Sequence, residues 1–152
     1  MTLRANYIGL APDAMKLLMA QENYLRQQFT ESDILTTKVW ELVKLRVSQI
    51  NQCAFCIDMH SKEALSAGEN TERILGLNAW RDMPLYSEIE NVALEWAESL
   101  TLGKPIDDPI YQHTVSLFGE KTVVNLTIAI NAINSWNRIA KTFKQEVGSY
   151  KP

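Results

Sequence analysis

Cysteine is scarce in this chain of 152 residues: there are two, and they stand three positions apart. Glycine and proline are scarce as well, at six and five, which excludes collagen-like or Pro/Gly-rich disordered classes and leaves few helix breakers. No stretch approaches the roughly 20 apolar residues that a membrane span requires. The opening MTLRANYIGLAPDAM lacks an apolar core long enough for a signal peptide, so a cytoplasmic protein is expected. Neither sign of charge dominates, with 15 Lys and Arg against 18 Asp and Glu and a pI near 5.4. No basic cluster interleaves with aromatics, so neither nucleic acid nor a membrane surface is expected as a partner. Convincing period-two alternation, internal repeats and Pro/Gly/Ser linkers are also missing, which disfavours parallel-sheet folds. The expectation is an all-α fold with residues 1–152 as one domain. A chain of this length buries a core without metals or disulfides to hold it, so the two cysteines are free for chemistry.

What is present is helical periodicity. Pro12 and Asp13 open an apolar-periodic run ending near Phe29. A second helix is expected from Asp33, capped by Ser32 or Thr30, to about Ile50, because Leu35, Val39, Trp40, Leu42, Val43 and Val47 fall on one broad arc. Asn51 and Gln52 form a brief turn. A third helix starts at Cys53 and stops at Gly68. Asn70 and Thr71 cap a short helix toward Leu77, and a loop through Trp80 and Pro84 leads to a capping box of Ser87 with Glu90. That helix runs to about Leu102. Asp108 with Pro109 starts a segment ending near Gly119, and a long last helix spans Lys121 to about Glu146.

The stretch INQCAFCIDMHSKEALSAG carries the chemistry. Taking Cys53 as zero on a helix, Cys56 falls at about 300°, His60 at about 340° and Ala64 at about 20°. Both sulfurs and the imidazole therefore share one small-residue face, opposite Asp58 and Lys62, and this face is expected to pack inward. Residues at i and i+3 have Cα atoms roughly 5 Å apart, within the window of about 4.4–6.8 Å that a disulfide tolerates. Reversible oxidation thus needs little backbone motion. Cys56 and His60 are neighbours at i and i+4, so the imidazole can take the thiol proton. A tight antiparallel hairpin centred near Asn51 brings Glu41 opposite His60, giving an acid that orients a base beside a nucleophile.

Duller readings compete with this one. Glu41 can pair with Lys38 or Lys44 on its own helix, and buried cysteines are often inert packing groups. Zinc would find a poor tetrahedron here unless Glu41 or His113 folded over the pair. Covalent haem attachment needs histidine directly after the second cysteine, where Ile57 stands, and a thioredoxin-like site needs a preceding strand. His113 reads as a surface residue. Trp40, Trp80, Trp96 and Trp136 read as core or interface.

The pattern of Glu41, eleven residues, Cys53, two residues, Cys56, three residues and His60 resembles the alkylhydroperoxidase D-like (AhpD-like) branch of the carboxymuconolactone decarboxylase superfamily. LRVSQINQCAFCIDMHSKEALSAGE looks like the family core, and ALEWAESLT and INAINSWNRIA look like its later helices. The resemblance implies an all-helical thiol peroxidase that reduces hydrogen or organic peroxides without haem or metal, with no cofactor. It implies Cys56 as the attacking thiol, Cys53 as the resolving one, His60 as proton relay and Glu41 as ultimate base. It further implies trimers or hexamers, recycled by an external dithiol such as a dihydrolipoyl or thioredoxin-type protein. One position departs from the pattern: Phe55 replaces a second histidine, so the implied relay is shorter or runs through water. The helix dipole, by contrast, acts most on Cys53, which leaves the assignment of the attacking sulfur open to a swap. A non-catalytic redox sensor is the alternative reading, and a lactone decarboxylase a weaker one, since decarboxylases of the superfamily lack the cysteine pair.

Overall fold

The computed structural model describes residues 4–152, and every regular element in it is helical. The first three residues of the N-terminal segment read above lie outside that range. The elements are α1 (Tyr7–Leu10), α2 (Pro12–Thr30), α3 (Thr37–Ile50), α4 (Ala54–Ser66) and α5 (Thr71–Gly76), followed by a 3₁₀ segment (Leu77–Asp82), α6 (Glu88–Thr101), α7 (Asp108–Phe118) and α8 (Glu120–Phe143). Among the described residues no helix is long and apolar enough to cross a membrane.

The core is built around α3, which is buried over most of its circumference. Trp40, Val43 and Val47 of α3 pack with Ala93, Trp96 and Ala97 of α6 and with Leu126, Ile130 and Ile133 of α8. On another side Leu42 and Leu45 meet Leu77, Trp80, Tyr86 and Leu94. Each valine, leucine or isoleucine among them contributes about 1.5–3 kcal/mol when fully withdrawn from water. A helix this enclosed draws even its polar residues inside: Glu41, Lys44 and Ser48 are all buried.

Several boundaries differ from the sequence reading. The helix expected from Asp33 begins at Thr37, with Thr36 as its cap. Ser32 Oγ instead accepts from the backbone N–H groups of Ile34 and Leu35, at 3.2 and 3.1 Å. A serine satisfies the amides of a turn as readily as those of a helix start, so the first full turn comes later. The loop expected through Trp80 is the 3₁₀ segment, because Leu77 and Trp80 at i and i+3 bury on one face. Asp107, one residue earlier than expected, caps α7 by accepting from Ile110 N–H at 3.0 Å. The last helix ends at Phe143, before the left-handed Lys144. The capping box of Ser87 and Glu90 forms as expected.

Candidate thiol site

Geometry at the site follows from how α3 ends. Asn51 is helical, Gln52 has φ of 53°, and the N–H groups of Gln52 and Cys53 donate to the carbonyls of Gln49 and Ser48. These paired bonds are those of a Schellman ending, in which the left-handed position reverses the chain within two residues. Glycine takes that conformation at least strain; glutamine holds it here at a cost of about 1–2 kcal/mol. The turn is fixed from outside by α8: Asn51 Nδ2 donates to Asn134 Oδ1 and Asn137 Oδ1, both at 2.9 Å, and Lys141 Nζ donates to Asn51 O at 2.6 Å.

Cys53 leaves this turn as the N-cap of α4, its sulfur accepting from Cys56 N–H at 3.4 Å. The two cysteines are joined as a disulfide with Cα atoms 5.3 Å apart. Cys53 is 1 % exposed and Cys56 4 %, packed with Phe55 and Ala140. The inward-facing small-residue stripe read from helical angles is therefore real.

His60 and Glu41 meet as the hairpin register requires. His60 Nδ1 lies 3.0 Å from Glu41 Oε2, and since a carboxylate only accepts, the ring donates from Nδ1. The other carboxylate oxygen, Oε1, takes the ammonium of Lys44. Lys44 Nζ also lies 3.6 Å from the centroid of the Trp40 ring, which stacks on Phe29 of α2. Glu41 thus serves His60 and Lys44 together. Lys38, the other cation considered for it, lies 3.8 Å from Glu69.

The three groups are almost dry, with Glu41 5 %, His60 6 % and Lys44 7 % exposed. Burial alone would raise the Glu41 carboxyl, but the hydrogen bond from His60 and the charge of Lys44 outweigh it and hold the group below the usual range. Burial lowers His60, and the positive charge of Lys44 adds to that against the opposing pull of Glu41, so the imidazole is held neutral. Its Nε2 has no hydrogen-bond partner among the described residues, and in this disulfide state neither sulfur bonds to it. An imidazole fixed by one nitrogen with the other unprotonated is a base in waiting.

Other buried polar groups support this arrangement and were not singled out from the sequence. Ser48 Oγ donates to the Lys44 carbonyl at 2.8 Å and accepts from Asn137 Nδ2 at 3.0 Å. Asn137 is fully buried. Asn134, Asn137 and Lys141 recur at helical spacing on the stripe of α8 that also carries Ile130, Ile133 and Ala140, a polar interruption that marks where α8 meets the hairpin turn. His113 is exposed, as read. A groove of about 740 Å³ runs along α4 between Arg46, Gln52, Ala54, Ile57 and Leu75. It borders the start of α4 but is lined by neither sulfur nor by His60 or Glu41, so the chemistry is not inside it.

An all-helical fold with a CxxC helix packed into its centre is the AhpD-like arrangement. A family model described as the carboxymuconolactone decarboxylase family matches residues 12–99. The uncharacterized protein YdfG of Bacillus subtilis (strain 168) is 43% identical over 142 residues, covering 92% of this chain and 93% of its own. A solved protein of unknown function from Agrobacterium tumefaciens, named as a candidate antioxidant defence protein AhpD, superposes with a TM-score of 0.86 at 37% identity, over 98% of this chain and 100% of that one. An uncharacterized peroxidase-related protein from Ralstonia eutropha JMP134, described as an alkylhydroperoxidase AhpD core, shares the fold at a TM-score of 0.79 and 14% identity, over 93% of this chain and 74% of its own. The chain belongs to the carboxymuconolactone decarboxylase family.

Proposed function

We propose that this protein is a cysteine-dependent peroxidase that reduces hydrogen peroxide or an organic hydroperoxide through a reversible Cys53–Cys56 disulfide. The observation that carries the reading is the placement of an oxidised CxxC pair at the start of α4 with a carboxylate-oriented, neutral imidazole one turn further along the same buried face. In the reduced protein, His60 Nε2 takes the Cys56 proton, and the thiolate attacks the nearer peroxide oxygen. The O–O bond breaks, the departing alkoxide or hydroxide takes the proton back, and Cys56 is left as a sulfenic acid. The Cys53 thiol then displaces water from that sulfenic acid, closing the disulfide. An external dithiol, of dihydrolipoyl-protein or thioredoxin type, returns both thiols and is itself oxidised. No cofactor enters the cycle.

Glu41 acts by fixing the ring and balancing the charge it acquires. Phe55, in place of a second relay histidine, makes His60 the one imidazole next to the sulfurs. Family membership and the antioxidant naming of the Agrobacterium relative support this reading. Against a lactone decarboxylase stands the occupation of Arg46 in the neighbouring groove, where Glu98 neutralises it at 2.7 Å. Assembly into trimers or hexamers is supported by the exposed apolar side chains of Ile8, Leu10 and Leu17.

The test is peroxide consumption by reduced protein with a dithiol donor. The wild type turns over repeatedly, and Cys56→Ser abolishes turnover. Undiminished turnover in Cys56→Ser would overturn the assigned role. A sensor, the second reading, oxidises once and then stops; the near-complete burial of both sulfurs in the disulfide state is the feature that favours it.

A further inference from the structure

Lys44 is the group at this site that the cysteine chemistry does not yet use. Lysine seldom lies inside a protein without a partner, and this one has its ammonium on Glu41 Oε1 and over the face of Trp40. The residue is buried, and the backbone carbonyl of Lys44 is held by Ser48, which is held in turn by Asn137. Such a fixed cation next to a carboxylate whose other oxygen meets an imidazole sets the charge balance of all three.

We infer that Lys44 is a positioning residue of the thiol site: its buried ammonium holds Glu41 as a carboxylate turned toward His60 Nδ1, and keeps the imidazole neutral so that Nε2 is the free base. The inference rests on the peroxidase reading only for its use; the charge arrangement itself is independent of any substrate. Without the cation, a lone buried carboxylate would draw a proton onto the ring, and His60 would enter the reaction as an imidazolium with nothing left to accept. With it, the cluster of Glu41, His60 and Lys44 carries no net charge before the thiol gives up its proton.

The other charged groups around the cluster are spoken for. On α2, Glu22 acts on His60 from further off and accepts from Trp136 Nε1 at 2.9 Å. On α4, Asp58 pairs with Lys62 at 2.8 Å on the outer face. From α8, Asn137 faces the site as a neutral amide and Lys141 is bonded to Asn51 O. From α6, Glu98 is held by Arg46 and Arg81. Beyond α4, Glu69 is held by Arg73 at 2.7 Å. Among the described residues Lys44 is the one ammonium or guanidinium paired with Glu41.

The experiment is an NMR titration of the His60 ring nitrogens in the disulfide form, where no thiol competes for the proton, with His113→Gln in the background to leave a single imidazole. In the otherwise wild-type protein, His60 is expected as the neutral Nδ1–H tautomer at pH 7. Lys44→Met should move its titration midpoint up by about one pH unit or more, because removing a nearby positive charge raises proton affinity. Lys44→Arg, which keeps the charge, should return most of the shift. A packing role alone would lower stability in Lys44→Met and leave the midpoint where it was; that result in folded protein overturns the inference. If Lys44→Met does not fold, Lys44→Gln is read the same way. If neither folds, the Lys44-containing protein decides: an imidazolium or an Nε2–H tautomer at pH 7 overturns the inference, and the neutral Nδ1–H form sustains it. No peroxide enters the measurement, so a failed peroxidase assay and a failed titration are separate outcomes.

Discussion

Of the four glutamates buried among the described residues, Glu41 and Glu98 are answered by different cations. Glu41 on α3 faces a lysine and a histidine. Glu98 on α6 accepts from Arg46 Nε at 2.7 Å, from Trp80 Nε1 at 2.9 Å and from Arg81. Both carboxyls are held below their ordinary range despite burial, Glu41 by His60 and Lys44, Glu98 by hydrogen bonds from Trp80, Arg81 and Arg46. The difference lies in what the partners can exchange. A guanidinium does not give up its proton in a protein, whereas an imidazole titrates near neutrality. The Glu98 cluster is therefore a clamp that ties α3, the 3₁₀ segment and α6 together. The Glu41 carboxylate is as buried as that of Glu98, but its partners are buried too, and the cluster lies one helical turn from two sulfurs and contains a mobile proton. Buried charge alone does not mark a reactive site; the identity of the partner does.

This contrast can be broken by substitution. Glu41→Gln keeps an oxygen for His60 Nδ1 but removes the charge, and peroxide reduction should fall by about 10²–10⁴-fold, the usual worth of a positioned acid–base system. Steady-state kinetics with a dithiol donor would read it. Glu98→Ala strands Arg46 and the Trp80 N–H, and should cost about 3–5 kcal/mol in urea unfolding, the range for breaking a buried pair. It should leave the pH dependence of thiol alkylation in the reduced protein where it was. A Glu98 variant that shifts that profile would erase the distinction.

Acid unfolding separates the clusters further. The folded state lowers His60 below 6.5, so its contribution is full above that value and is lost as pH falls through the folded one. Glu41 and Glu98 lie below 4.5 when folded, so their contributions persist to lower pH and are lost as it falls through their folded values. Urea midpoints measured against pH should therefore decline in two windows, with His60→Gln removing the upper and Glu98→Gln diminishing only the lower. The smallest effect is expected for Arg81→Ala. Its side chain is 46% exposed, and the loss should stay within about 1 kcal/mol.

How much of this was legible beforehand depended on whether the determinant was local. The meeting of Glu41 and His60 follows from a two-residue turn at Asn51, because positions equidistant from a tight hairpin's centre lie level. The shared face of Cys53, Cys56 and His60 follows from helical spacing alone. Lys44 was legible only as a rival partner for Glu41, since its burial depends on how the core packs around α3, with its ammonium on the Trp40 ring that Phe29 of α2 stacks against. The amides of Asn134 and Asn137 gain meaning only when α8 lies across the turn, some 80 residues away in sequence. The start of α3 was misplaced for a chemical reason: Ser32 has the same hydroxyl whether it closes a turn or caps a helix.

In the proposed cycle the two sulfurs form one redox unit served by the Glu41 and His60 pair. Its most direct test is a thiol count on the fully reduced protein before and after one equivalent of hydroperoxide, followed by addition of a dithiol. Both thiols of each chain should disappear together, and both should return. Thiols that survive the peroxide, or a single thiol lost to a product the dithiol does not restore, would contradict it.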